Sequence, residues 1–233
     1  MEQTRGAGQR SAHVAEKSDG CGDYPGRVPV DTRPTLVIVG PPGAGKTTVG
    51  HVLARRLGVA FADVDAMIEE RTGSAIADLF VRDGEEGFRR LERELVAEAL
   101  ASHDGVLALG GGAVLAAETR ALLRGHRVVH LNVGLADGLR RTGMSTARPL
   151  LAGVNPRATF KALLDARAPL YQEVATVRVD TDRRSANQVA RAVLVAVGAL
   201  PASAPDEPVD PEDPLDLPTP HESALLPNPG LRP

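Results

Sequence analysis

The chain has no tryptophan, and aromatic residues make up only 3% of its 233 positions. Such scarcity argues against a surface that binds nucleic acid by stacking on bases. Cysteine occurs once, as Cys21, which excludes an internal disulfide framework and a cysteine-based zinc site and suits a reducing cytoplasm. No apolar run approaches the roughly 18 residues of a membrane span, and the first thirty residues lack the apolar stretch of a secretory signal. With a net charge of −3 and a pI near 6.1 there is no basic field to attract nucleic acid or anionic lipid. Hydrophobic residues at 42% and charged residues at 24% are ordinary for a globular domain.

Composition shifts along the chain. Residues 201–233 hold ten prolines and seven acidic side chains against one arginine. That segment carries −6 and leaves +3 on residues 1–200. A stretch so poor in apolar surface cannot offset its ordering entropy and is expected to be a disordered tail. Residues 1–33, polar and glycine-rich, are expected to be a flexible extension. One domain is expected over residues 34–200.

Within it, apolar runs alternate with helical patterns. Leu36-Val37-Ile38-Val39 reads as a buried strand between Pro34 and Gly40. Val49, Val52, Leu53 and Leu57 then recur at helix spacing, with Gly58 as the stop. Val59–Ala62, Val106–Leu109, Val128–Val133 and Thr176–Val179 read as four further strands. A helix is expected from near Ser74, others over Glu85–Ser102 and Ser185–Val197, and another ending near Arg167. Five strands separated by helices imply an α/β domain with a parallel sheet, whose site belongs at the carboxyl ends of the strands.

The decisive segment is Gly40-Pro41-Pro42-Gly43-Ala44-Gly45-Lys46-Thr47, which satisfies G-x-x-x-x-G-K-[ST] between a strand and a helix. Glycines there let backbone amides curl around phosphate oxygens, and the helix N-terminus adds its positive end. Lys46 would meet the β- and γ-phosphates, and the Thr47 hydroxyl would ligate Mg²⁺. Only three lysines occur in the chain, so a chance match to this pattern is expected at about 0.3%. A nucleotide is therefore expected here, and the absence of DxxG and NKxD segments disfavours a GTPase switch.

Several residues suggest a phosphate acceptor. Asp63-Val64-Asp65 closes the second strand, where positions i and i+2 would turn both carboxylates to one cleft. One acid could then stand near the metal and the other accept a hydroxyl proton. An isolated D-x-D could equally be a strand end capping the next helix. Arg89 and Glu92, three apart on a helix, could form a fixed guanidinium fork for a carboxylate. Gly110-Gly111-Gly112 would let a substrate lie against backbone amides. Arg140, Arg141 and Arg148 lie in and around a stretch rich in Gly, Ser, Thr and Pro over residues 142–155, suited to a mobile loop that neutralises the transferred phosphoryl group. Arg167, before Ala168-Pro169, is a further anion grip.

Together with Gly84-Glu85-Glu86-Gly87-Phe88-Arg89-Arg90-Leu91-Glu92, Arg148-Pro149-Leu150-Leu151 and Arg167-Ala168-Pro169-Leu170-Tyr171, these segments closely resemble the shikimate kinase family over about residues 35–195. The resemblance implies a P-loop kinase fold with a five-stranded parallel sheet, a lid and a substrate-binding helical region. It implies transfer of the ATP γ-phosphate to the 3-hydroxyl of shikimate in aromatic amino-acid biosynthesis, by a cytoplasmic monomer acting on small molecules. Lys46, Asp65 and Arg148 would be catalytic. Gly43, Ala44, Gly45, Lys46, Thr47, Thr48, Arg141, Arg148 and Arg184 would bind ATP. Asp65, Arg89, Glu92, Gly110, Gly111, Gly112 and Arg167 would hold shikimate, and Thr47 and Asp63 would hold Mg²⁺. Departures are mild: Ala44 replaces the family's usual Ser or Thr, Pro41-Pro42 stiffens the loop entry, and Met144-Ser145 fall in the lid.

Two other readings fit less of the sequence. A gluconate-type sugar-acid kinase would not require the Gly110–Gly112 and Arg167-Ala168-Pro169 set. A silent nucleotide-binding module would not require the acceptor-side residues at all. A chain trimmed to residues 34–200 is expected to fold and keep the ATP turnover of the full chain, because the removed segments lack the apolar content to join a core. Insolubility, or a folded but inactive product, would move the domain boundary.

Overall fold

The computed structural model describes residues 34–142 and 155–203. Residues 1–33, which include Cys21, residues 204–233, and Met144, Ser145 and Arg148 of the expected lid lie outside the described residues.

Five strands, β1 (Leu36–Val39), β2 (Phe61–Asp63), β3 (Val106–Ala108), β4 (Val128–Asn132) and β5 (Val177–Asp180), pair in parallel in the order β2-β3-β1-β4-β5. Seven helices accompany them among the described residues: α1 (Lys46–Leu57), α2 (Val64–Thr72), α3 (Ile76–Ser102), α4 (Ala117–Leu123), α5 (Leu135–Thr142), α6 (Pro156–Val174) and α7 (Ala186–Ala196). The expected α/β class with a five-stranded parallel sheet flanked by helices is what forms. None of the described helices is long and apolar enough to cross a membrane.

The central strand shows why two helical layers are needed. All four residues of β1 are buried, and successive side chains point to opposite faces. Val37 and Val39 enter a core with Ile68 of α2, Leu95 of α3, Leu123 of α4 and Tyr171 of α6. Leu36 and Ile38 enter another with Leu53 of α1 and Val193 of α7. A strand apolar on both faces is stable only when both are covered. The order also puts β3 and β4 on either side of β1, so the crevice opens at the carboxyl end of β1, where the phosphate loop begins.

Helix boundaries follow local chemistry. Gly58, left-handed at φ 65°, closes α1 by donating to the Ala54 and Arg55 carbonyls. The two helical stretches expected from Ser74 and over Glu85–Ser102 run as α3 across Gly84, whose φ of 70° and ψ of 177° break the helical path. Two expectations fail. Asp63-Val64-Asp65 is expected to close the second strand, yet only Asp63 belongs to β2, and it caps α2 through its side chain. The helix expected to end near Arg167 continues as α6 through Pro169 to Val174. A proline removes one helical hydrogen bond, and the burial of Arg167, Tyr171 and Val174 on that face outweighs the loss.

One core group is titratable. His130 on β4 is 3% exposed, stacks on Tyr171 at 4.8 Å, and neither ring nitrogen has a partner. Burial first, then the nearby positive charge of Arg178, push its pKa from 6.5 down to about 4, with Asp180 partly opposing. The folded protein therefore keeps His130 neutral where the unfolded chain would take up a proton. Stability should fall as pH drops from 6.5 toward about 4, by on the order of 3 kcal/mol, and His130 should cost nothing further below that. His130→Phe keeps a ring against Tyr171 and should flatten this limb in urea unfolding curves taken across the pH range. Identical pH profiles for both proteins would contradict the assignment.

Candidate active site

The loop from Gly40 to Thr47 leaves β1 and enters α1. Gly43 and Gly45 sit at φ 77° and 81°, a backbone region that side chains disfavour. Between them the Ala44 methyl is 1% exposed, packed into the core with Val49 and Val52. Position 44 therefore offers the loop only its backbone. No side chain caps the start of α1, which leaves its first amides for an anion. Lys46 Nζ donates to the Pro41 carbonyl at 3.4 Å, and the Thr47 and Thr48 side chains are exposed at the mouth.

A second set of contacts ties this loop to the β5–α7 connection. Arg141 of α5 donates to Thr181 Oγ1 at 3.0 Å, to the Thr181 carbonyl at 2.6 Å and to the Gly43 carbonyl at 3.5 Å. Asp137 accepts from the backbone N–H of Arg183 at 2.9 Å, supporting that residue at φ 53°, and pairs with Arg140 at 2.9 Å. Burial would raise the Asp137 pKa, but these donors win and hold its carboxyl below the usual range. Arg184 donates to the Asp180 carbonyl at 3.2 Å. Asp137 and Thr181 had no place in the sequence reading. Only the three-dimensional pairing of α5 with residues 181–184 reveals them.

On the acceptor side, Asp63 and Asp65 do not project from one strand. Asp63 ends β2 and caps α2, its Oδ1 accepting from the Asp65 N–H at 3.0 Å, and Asp65 lies in the first turn of that helix. The other Asp63 oxygen accepts from the Thr47 hydroxyl at 2.7 Å. The capping alternative for D-x-D is what forms, and the same side chain also reaches Thr47 of the phosphate loop. Thr47 and Asp63 present hard oxygens side by side, a fit for Mg²⁺, which takes one or two protein oxygens and completes its shell with phosphate and water. No group of three or more His, Cys, Asp or Glu residues among the described ones could hold a metal unaided.

The Gly110–Gly112 turn after β3 gathers the other predicted residues. A Cβ on Gly110 would lie 2.6 Å from both Asp65 Oδ1 and Glu92 Oε1. On Gly112 it would lie 2.6 Å from Arg89 Cζ. On Gly111 it would meet Pro42 Cδ at 3.2 Å, at the entry of the phosphate loop. The Gly111 carbonyl accepts from Arg167 at 2.8 Å and from the Tyr171 hydroxyl at 2.7 Å. The missing side chains let Asp65, Glu92, Arg89 and Pro42 come close to this backbone. Arg89 pairs with buried Glu92 at 2.6 Å and lies over the Phe88 ring at 5.3 Å. Its Nε–H is buried without a partner, an unused donor at the site. Tyr171, one helical turn after Arg167, closes a segment singled out in the sequence but has no role assigned there.

The sequence model of the shikimate kinase family matches residues 42–197. A shikimate kinase of Saccharopolyspora erythraea is 66% identical over 149 residues, covering 64% of this chain and 85% of that protein. One of Thermobifida fusca is 58% identical over 164 residues, covering 70% of this chain and 95% of that protein. Among solved structures, the shikimate kinase of Acinetobacter baumannii in complex with shikimate superposes with a TM-score of 0.69 at 41% identity, covering 70% of this chain and 92% of that one. A gluconokinase of Sinorhizobium meliloti, at a TM-score of 0.50 and 20% identity over 71% of this chain and 91% of that one, shares the fold alone.

Gly112→Ala tests the packing of the turn. The backbone there, φ −103° and ψ −7°, suits alanine, so the clash falls on the Arg89 guanidinium, which buried Glu92 holds in place. Stability should fall by on the order of 1–3 kcal/mol as that pair is disturbed, while affinity for a carboxylate-bearing acceptor falls at least about tenfold and ATP affinity stays within about twofold. Unchanged acceptor affinity would show that Arg89 can move without consequence.

Proposed function

The chain belongs to the shikimate kinase family, its reaction is the ATP-dependent phosphorylation of shikimate, and we propose that the residues around the Gly110–Gly112 turn carry it out. The observation behind this reading is the convergence of Arg89, Arg167 and Asp65 on one glycine turn that also touches the phosphate loop. A cyclic hydroxy acid such as shikimate offers a carboxylate for such a pair of guanidiniums and a ring hydroxyl for the aspartate.

In this reading the phosphate-loop amides of residues 43–48 and Lys46 hold the β- and γ-phosphates, and Arg141 and Arg184 border the nucleotide. Arg148, outside the described residues, contributes from the lid. Arg89 and Arg167 grip the shikimate carboxylate. Glu92 serves by fixing Arg89, since a buried carboxylate is stable there only while paired. Asp65 orients the 3-hydroxyl and takes its proton as that oxygen bonds to the γ-phosphorus and the bond to the β–γ bridging oxygen breaks, releasing ADP. Thr47 and Asp63 hold Mg²⁺, which when bound supplies positive charge to the phosphate oxygens. The catalytic unit spans residues 34–200, works as a monomer, and belongs in the cytoplasm, where ATP is at hand.

A coupled ADP-release assay with shikimate or gluconate, with and without Mg²⁺, tests the reaction, and Asp65→Asn tests its mechanism. The amide keeps the shape but cannot take a proton at neutral pH. Turnover should fall about 10²–10⁴-fold with ATP affinity nearly unchanged. A small loss of kcat with a large rise in shikimate KM would make Asp65 a binding residue only. Wild-type kinetics would remove it from the site.

A further inference from the structure

Both lone pairs of one carbonyl in this site are occupied. Arg167 and Tyr171, four residues apart on α6, reach the same Gly111 oxygen at 2.8 and 2.7 Å. Tyr171 is 2% exposed, and its ring is clamped from behind by His130 at 4.8 Å. A hydroxyl so enclosed has one orientation open to it.

We propose that Tyr171 is a positioning residue for substrate binding, holding the Gly111 carbonyl so that Arg167 stays aimed into the acceptor site. This rests on the reading that Arg167 grips the shikimate carboxylate. Arg167 alone could pull the Gly111–Gly112 peptide toward itself or swing away, because a single hydrogen bond between a long side chain and a glycine turn leaves both partners free to move. The tyrosine supplies the second, rigid donor. Because the peptide is planar, fixing its carbonyl also fixes the position of Gly112, where an added Cβ would meet the Arg89 guanidinium. One hydroxyl thereby orders both arginines. Burial raises the phenol's pKa from 10.0 to about 12, although Arg167 beside it opposes the rise. The hydroxyl therefore remains a donor throughout the working pH range.

The chain carries a built-in probe. It has two tyrosines and no tryptophan, so in full-length Tyr24→Phe protein the tyrosine signal belongs to Tyr171 alone. When shikimate draws Arg167 from Gly111, the fluorescence and 280-nm difference spectrum of Tyr171 should change saturably with shikimate, and no change would contradict the coupling. In that background Tyr171→Phe should raise the shikimate KM about 3- to 10-fold, the size of one lost neutral hydrogen bond. Its kcat and ATP KM should stay within about twofold. Arg167→Lys should then cost less in the Tyr171→Phe protein than alone, since the two act through one carbonyl. A merely structural tyrosine would instead lower melting temperature with both KM values unmoved, or give additive effects, and either result overturns the proposal. If Arg167→Lys itself leaves shikimate KM unchanged, the site reading fails first. If that variant raises KM and Tyr171→Phe does not, only the positioning role falls.

Discussion

Close approach of side chains to the Gly110–Gly112 backbone is the constraint on which the site depends. Two carboxylates, a guanidinium and a proline of the phosphate loop each come within contact of where a Cβ would stand. The turn is thin enough that residues from α2, α3, α6 and the phosphate loop all approach its backbone. Had any of the three residues carried a large side chain, it would have held these groups apart. Glycine here does not serve flexibility. It removes thickness from a wall that charged groups on several elements share.

The two halves of the site are also joined on the opposite flank. Thr47 opens α1 on the nucleotide side, and Asp65 lies at the start of α2 on the acceptor side. Asp63 touches both, accepting from the Thr47 hydroxyl and from the Asp65 N–H. A change at the phosphate loop is therefore felt at the proposed base through one carboxylate, without any movement of the sheet. The sheet supplies the fixed distance: Asp63 is in register with Ala108 of β3, and β3 pairs with β1.

The strands, the phosphate loop and the Arg89–Glu92 pair were legible in the sequence, because each depends on local spacing: a β-branched run, a glycine pattern, a helical turn. What escaped depends on competition. Asp63 and Asp65 look alike as D-x-D, but a side chain that caps a helix converts the second aspartate from a strand position into a helical one. Ala168-Pro169 looks like a terminus, but proline ends a helix only when packing does not hold the next turn, and here Tyr171 and Val174 are buried. Tyr171 itself carries no local signal, since its partner, the Gly111 carbonyl, is sixty residues away.

The charges around the turn suggest why the site selects an acid. Arg89 and Arg167 contribute two positive charges, and Asp65 and Glu92 two negative ones, so without substrate the cluster is balanced. Glu92 satisfies much of Arg89, and the Gly111 carbonyl satisfies one donor of Arg167. A neutral polyol would have to compete with these existing bonds while adding no charge. Under the proposed roles a carboxylate replaces a neutral carbonyl with a charged acceptor for Arg167, roughly doubling the strength of that hydrogen bond. The acid group of the acceptor thus exchanges a neutral partner of Arg167 for a charged one, in a cluster whose own charges already balance.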